Sequence, residues 1–541
     1  MNKIYFTKTG NFWIDNGIVG LYRIYKDYLQ ENEPSLSKSF EIRLSAQGLE
    51  ILYIGEAEEQ NVLTFLNIAK EEAVKTYIKE TDNVGWIFVD NTFRIYQRND
   101  FKMHLKPFFS GKTPATEGGL CTPGKLLKKT DRHMTPEEFE IFQQFIIENA
   151  VPKEGGGKKV KIEDRGFLNN PPKHEVGNDY APEFEKPGAK ICSLSGQAFH
   201  KTDTITGMNY PFLTGKSGEL NFASFLEGKP SISAKYAFAA LFAFYNLNYQ
   251  LSGDMKNYFV LYDSNLKSLH KFINIIQAAP EQIKNADWCS FETFVAGTRY
   301  EAESLFNFLV SVYKQLKDRL ESDLHDEVFS KSVFTLSNDG NIFRQVLEYS
   351  SLDALFVLFD AFGSSPEEKN YFEAFLNFVR HFSKKIGDKW DTTWRNHLCG
   401  DLLQFRSIHK IVERYLGEVK LREESGGIAW LDKIIDIYNS KTQPNMKAEM
   451  VEACKSLGNR IGRYCREKED KGILFSIRNA KNRSEFLSVL AETQFRTEVL
   501  YSEDFFKDLP DNSQWEEYKS LVSIFAMNSF LYRPEANKAK S

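Results

Sequence analysis

From about residue 346 to the end, apolar residues recur every three or four positions, and no other feature limits the fold as tightly. Phe405, Ile408, Ile411, Val412, Tyr415, Leu416 and Val419 show the pattern. On an α-helix, residues three and four apart share a face, so this spacing lays one apolar stripe along a helix. Gly426-Gly427 and Pro444 break the pattern and separate successive helices. Residues 346–541 are therefore expected to form a C-terminal α-helical bundle.

Residues 1–345 carry mixed signals and are expected to form an α+β N-terminal region with long loops. Glu50 to Gly55 reads as a short strand, and Val84–Asp90 and Phe93–Arg98 as a hairpin about Asn91 and Thr92. Asn61–Lys79 has helical spacing, and a further helix is expected to start at Thr135-Pro136, where Thr caps and Pro suits the first turn. Residues 101–132 form a basic, glycine- and proline-containing loop, and 151–232 are irregular. From Ser233 to 345 the sequence turns helical, with one strand at Tyr258–Tyr262. The longest apolar run, Tyr236–Tyr245, is half the roughly 20 residues a membrane helix needs, so it reads as a buried helix.

The whole chain has 541 residues and a formal charge of −5. Proteins that bind polyanions over their whole surface are basic, so any nucleic-acid binding must come from local patches. Six scattered cysteines without a CxxC pair read as reduced thiols. The polar N-terminal residues lack a signal-peptide apolar stretch, so a cytoplasmic protein without a membrane span is expected.

Three segments approach known chemistry and miss it. Thr214-Gly215-Lys216-Ser217 resembles the end of a phosphate-binding loop, but Tyr210 stands where the first glycine is required. Glu418 and Lys420 have the spacing of a nuclease metal site, with Asp401 upstream, yet on a helix they point about 200° apart. Cys192 and His200 supply only two of the four ligands that structural zinc takes.

Two basic patches stand out. Between Lys455 and Arg483 nine cations face three acids, a local surplus of six; Arg460, Arg463, Arg466, Arg478, Lys481 and Arg483 are its candidate phosphate contacts. The second patch is the loop carrying Lys106, Lys112, Lys125, Lys128, Lys129 and Arg132. Its glycines allow close backbone approach to phosphates.

Thr9-Gly10-Asn11, Asp15 and Gly17-Ile18 resemble the signature near the start of the large subunits of type I-B CRISPR Cascade, the CXXC–CXXC family of CRISPR-associated proteins. Lys190 to Gly196 is similar to that family's first cysteine knuckle, and Ser456 to Gly462 to its C-terminal helical region. Here Ser195 replaces the second cysteine and the second pair is missing, so the family's zinc is expected to be lost and no cofactor is expected. The resemblance implies a non-catalytic subunit of an antiviral RNA-guided complex. Such a subunit recognises the protospacer-adjacent motif (PAM) on double-stranded DNA, stabilises the R-loop and helps recruit the helicase-nuclease. Its implied partners are crRNA, target DNA, the backbone and crRNA-end cap subunits, and a small subunit that the C-terminal bundle resembles. Met446 and Met450 are the methionines from which a short internal product could start. Two alternatives stay open on the residues alone: a metal-dependent nuclease, and a structural scaffold that touches only proteins.

Overall fold

The computed structural model describes residues 2–80, 83–89, 92–98, 102–103, 126–127, 132–133, 135–152, 158–160, 179–205, 210, 231–252, 255–276, 282–284, 287–295, 298–319, 330–338, 346–363, 370–387, 389–423, 426–497, 501, 505–506, 509–510 and 514–532. The chain divides into two compact units that interleave along the sequence. The first holds Met1–Leu247, Val260–Asn274 and Lys331–Glu348; the second holds Asn248–Phe259, Ile275–Ser330 and Tyr349–Ser541. The single boundary expected at 345/346 falls close to the last crossing, but 248–259 and 275–330 belong with the C-terminal helices.

In the first unit, β1 (Asn2–Thr7), β2 (Glu41–Leu44) and β3 (Gly48–Tyr53) form an antiparallel sheet in the order β1-β3-β2. Ile4 pairs with Ile51 and Phe6 with Leu49, so alternate apolar residues reach one buried face. α1 (Phe12–Ile24) is buried along almost its whole length. It lies against α4 (Ala234–Ala240) and the 3₁₀ turn Leu241–Asn246, the buried helix expected at Tyr236–Tyr245. The close approach requires glycine: a Cβ at Gly17 would sit 2.1 Å from the carbonyl oxygen of Ala239, and one at Gly20 2.2 Å from that of Phe242.

Between them run α2 (Glu56–Tyr77), the hairpin β4 (Asn83–Val89) and β5 (Thr92–Arg98), and α3 (Pro136–Asn149). The hairpin pairs Trp86 with Ile95 and Val89 with Thr92, so Thr92 belongs to β5 and not to the turn expected at Asn91 and Thr92. At the start of α3, Thr135 N–H donates to Glu138, and Glu138 N–H donates back to the Thr135 hydroxyl. This reciprocal capping box fixes the helix start. β6 (Met255–Asp263) contains the strand read at Tyr258–Tyr262; its last residues belong to the first unit and lie beside β7 (Lys331–Asn338). α5 (Leu266–Ile275) follows β6.

The second unit is mostly helical: α6 (Glu301–Arg319), α7 (Leu352–Gly363), α8 (Phe372–His381), α9 (Thr393–Leu403), α10 (His409–Tyr415), α11 (Leu431–Thr442), α12 (Ala448–Glu467), α13 (Gly472–Asn479), α14 (Arg483–Thr497) and α15 (Trp515–Leu531). A short hairpin, β8 (Lys384–Ile386) and β9 (Lys389–Asp391), precedes α9. Strands Asn248–Ser252, Gln282–Lys284 and Asp287–Cys289 pair in this unit as well. Much of the core is aromatic: Phe306, Tyr313, Phe356, Phe359, Phe372 and Phe375 meet at centroid distances of 5.1–6.3 Å, Phe356 and Phe359 stacked and the other pairs edge-to-face or tilted. Such arrangements set the positive ring edge against the negative face. The α+β region with a helical C-terminal part is as the sequence indicates. Among the described residues, no helix is long and apolar enough to cross a membrane.

Candidate nucleic-acid interface

α12 shows which cations of the 455–483 patch face outward. Gly458 and Gly462 lie one turn apart and press against α15: a Cβ would sit 2.6 Å from the Val522 carbonyl oxygen at the first and 2.2 Å from that of Ala526 at the second. Arg460 lies midway between them in sequence, which places it roughly 160° from either at 100° per residue. It therefore points away from α15, with Arg463 on the neighbouring flank; both are exposed and neither side chain has a partner among the described residues. Lys468 and Lys481 are likewise exposed, without side-chain partners among the described residues.

The other cations of the patch brace the bundle. Lys455 is buried and pairs with Asp436 and with Glu452 at 3.2 Å. Arg466 donates to the carbonyls of Ser529 (3.3 Å) and Tyr532 (2.5 Å), satisfying acceptors that the end of α15 leaves open. Arg478 pairs with Glu418 at 2.6 Å, and Arg483 donates to the Leu509 carbonyl at 3.1 Å. Lys471 reaches the Leu421 carbonyl at 3.5 Å. Arg466, Arg478 and Arg483 thus serve internal contacts, and the outward charge is carried by Arg460, Arg463, Lys468 and Lys481, with Glu467 and Glu469 exposed beside them.

Of the second patch, Lys106, Lys112, Lys125, Lys128 and Lys129 lie outside the described residues, as does Thr214–Ser217. Arg132 belongs to a two-residue strand whose register sets it opposite Leu127.

The residues resembling the Cascade signature build a helix start. Asp15 is buried, and its carboxylate accepts from Thr9 N–H (2.8 Å), the Thr9 hydroxyl (3.0 Å) and Gly10 N–H (3.1 Å). Burial pushes the Asp15 carboxyl above the usual carboxylate range, and the Thr9 and Gly10 bonds only partly offset this. Gly10 takes φ +78°, a left-handed conformation that glycine adopts without strain. Asn11 caps α1 by accepting from Trp13 and Ile14 N–H. Thr9, Gly10, Asn11, Asp15 and Gly17 therefore hold the N-terminal fold together.

The near-misses have local explanations. Cys192 is buried in a tight turn, where its N–H donates to Gln197 O and Gly196 N–H returns to Cys192 O. A lone thiol offers one of the four ligands that structural zinc takes. Among the described residues, no group of three or more His, Cys, Asp and Glu is placed to hold a metal ion. Glu418 lies in a π-helical turn, Leu416–Lys420, and serves Arg478 and Arg414. Ser407, His409 and Glu517 form a cluster that looks like a nucleophile with its base. However, the Ser407 hydroxyl donates to Glu517 and not to the imidazole, and His409 is fully buried.

Arg406, Lys410 and Arg414 form no cationic run in the sequence, because Glu413 and Glu418 dilute them along the chain. All three line one cleft in the second unit, and their spacing of four residues is the sequence signal that marks them. No family model and no curated protein matches this sequence.

Proposed function

We propose that the chain is a non-catalytic large subunit of a type I-B CRISPR Cascade that holds target DNA through the outer face of α12. One observation carries nucleic-acid binding: Arg460 and Arg463 stand exposed, without a side-chain partner among the described residues, on the side of the helix away from its glycine-packed face. A guanidinium presents a planar fork of donors that suits phosphate oxygens. The likeness of Thr9–Ile18 to the family signature supports the Cascade assignment. On this reading base pairing with crRNA reads sequence, while the protein supplies charge, shape and recognition of the PAM. Loop 101–132 is assigned to the duplex beside that motif, the partners are the other Cascade subunits and the helicase-nuclease, and the location is cytoplasmic.

The test is the salt dependence of DNA binding by the assembled complex. Each phosphate neutralised contributes about 0.9 to the slope of log K against log salt, so R460A/R463A should weaken binding across sequences and lower the slope by about 2. An unchanged slope overturns the assignment of this face. Changing Lys125, Lys128 and Lys129 to Ala should impair duplex recognition more than binding to pre-opened DNA; equal loss on both removes the loop's assigned role.

A further inference from the structure

We infer that the cleft lined by Arg406, Lys410 and Arg414 is a binding site for a phosphate-bearing ligand, separate from the α12 face. Its volume is about 420 Å³, and Ala302, Asn396, His397, Gly400, Asp401, Gln404 and Ile411 complete its wall. Pockets for small ligands run from about 300 to 1,000 Å³, so a nucleotide-sized group fits. Three cationic side chains and one carboxylate, Asp401, line this concave surface, and Glu517 also lies within electrostatic reach of Lys410. Burial raises the Asp401 carboxyl, while Arg406 and His397 draw it down.

The cations are held in place by the backbone beneath them. α9 ends at Leu403, and Phe405 then takes φ +53°, a left-handed conformation costly for a residue with a Cβ. That turn is pinned from both sides: Arg406 N–H donates to the Asp401 carbonyl at 3.0 Å, and the Tyr438 hydroxyl donates to the Arg406 carbonyl at 2.6 Å. Strained backbone kept in place by its surroundings clusters at functional sites. Lys410 and Arg414 follow one turn apart on α10. Arg414 stacks 5.5 Å over Trp394, and Glu418 touches it at 3.6 Å. The side chains of Arg406 and Lys410 are exposed and make no hydrogen bond or ion pair among the described residues. Arg406 and Lys410, with side-chain donors unengaged among the described residues, line one cleft with Arg414, and such a group of cations suits a multiply charged oxyanion; Arg forks favour phosphate by bidentate contact.

The phosphate could belong to a free nucleotide or to the backbone of a single strand, and two probes tell these apart. Calorimetry with inorganic pyrophosphate and anisotropy with a labelled oligothymidylate are run on the full chain at low salt, on wild type, R406Q/K410Q and R460A/R463A. Binding of pyrophosphate, weakened at least tenfold in R406Q/K410Q, identifies a free-phosphate site. Binding of the oligonucleotide alone, weakened to the same extent, identifies a strand site. In either case R460A/R463A keeps the residual binding that R406Q/K410Q loses, so this inference can hold while the assignment of the α12 face fails, and the reverse. The inference is overturned if neither probe binds, or if R406Q/K410Q binds like wild type. Both changed side chains are exposed, so an unaltered melting temperature accompanies the expected loss.

Discussion

Glu303 is 1% exposed, and its Oε2 accepts from Arg395 Nε at 2.7 Å while its Oε1 accepts from the Thr392 hydroxyl and the backbone N–H groups of Arg299 and Tyr300. Removing one member of such a pair leaves a bare charge in the interior. Arg395→Leu should therefore cost about 3–5 kcal/mol in urea unfolding; a midpoint shift too small for that would mean water or rearrangement reaches the carboxylate. At Glu517, burial alone would raise the carboxyl, but hydrogen bonds from His409 and Ser407 outweigh it and hold the group below its ordinary value of 4.5. A depressed carboxyl stabilises the fold in full above its unfolded-state value, and the contribution is lost as pH falls through the lower folded-state value. Wild type should thus lose melting temperature below about pH 4.5 more steeply than Glu517→Gln, and parallel pH curves for the two proteins would contradict it. These networks are invisible in sequence, because Glu303 and Thr392 lie 89 residues apart and His409 and Glu517 lie 108 apart.

Helix packing sets the limits at the next scale. α12 and α15 approach so closely that a single methyl group at Gly462 meets the Ala526 carbonyl. Gly462→Ala should cost about 1–3 kcal/mol through overpacking, read by chemical denaturation; an unchanged midpoint would show that the pair can part without loss. The helices themselves were legible in the sequence. The Thr135 start and the strand at Tyr258 appear where local spacing puts them, whereas the stripe read from Phe405 becomes helical only at His409, because Phe405 sits in a left-handed turn, and the second strand of the hairpin begins one residue early, at Thr92. The cationic face was legible only in part. Local charge locates the 455–483 patch, yet whether an arginine is free depends on Glu418, Leu509 or Tyr532 arriving from elsewhere in the chain. Gly458 and Gly462 were the usable clue, since a pair of glycines one turn apart marks the side that meets another helix and so the side that does not.

At the scale of the whole molecule, a single cut at 345/346 would strip the second unit of α6, whose Phe306 and Tyr313 pack against Phe359, Phe372 and Phe375. A fragment of residues 346–541 should accordingly melt well below the full chain and with a broad transition, and supplying 275–330 should restore cooperativity. A sharp transition of the short fragment at the full-chain temperature would show that α6 is dispensable. Starting at Met446 goes further: such a product keeps α12 to α15 but leaves Glu517 and Ser520 without His409 and Glu413. The interleaving could not be read from periodicity, which reports the local face of each element and not its distant partner. It also imposes an order on synthesis. As the chain leaves the ribosome, residues 248–259 and 275–330 emerge long before the helices after 349 that complete their unit, while the N-terminal unit waits for 331–348 to close its own. The first unit can close once residue 348 is out, but the second cannot, so a translational pause at that point would leave one unit closed and the aromatic faces of α6 bare to whatever chaperone stands nearby.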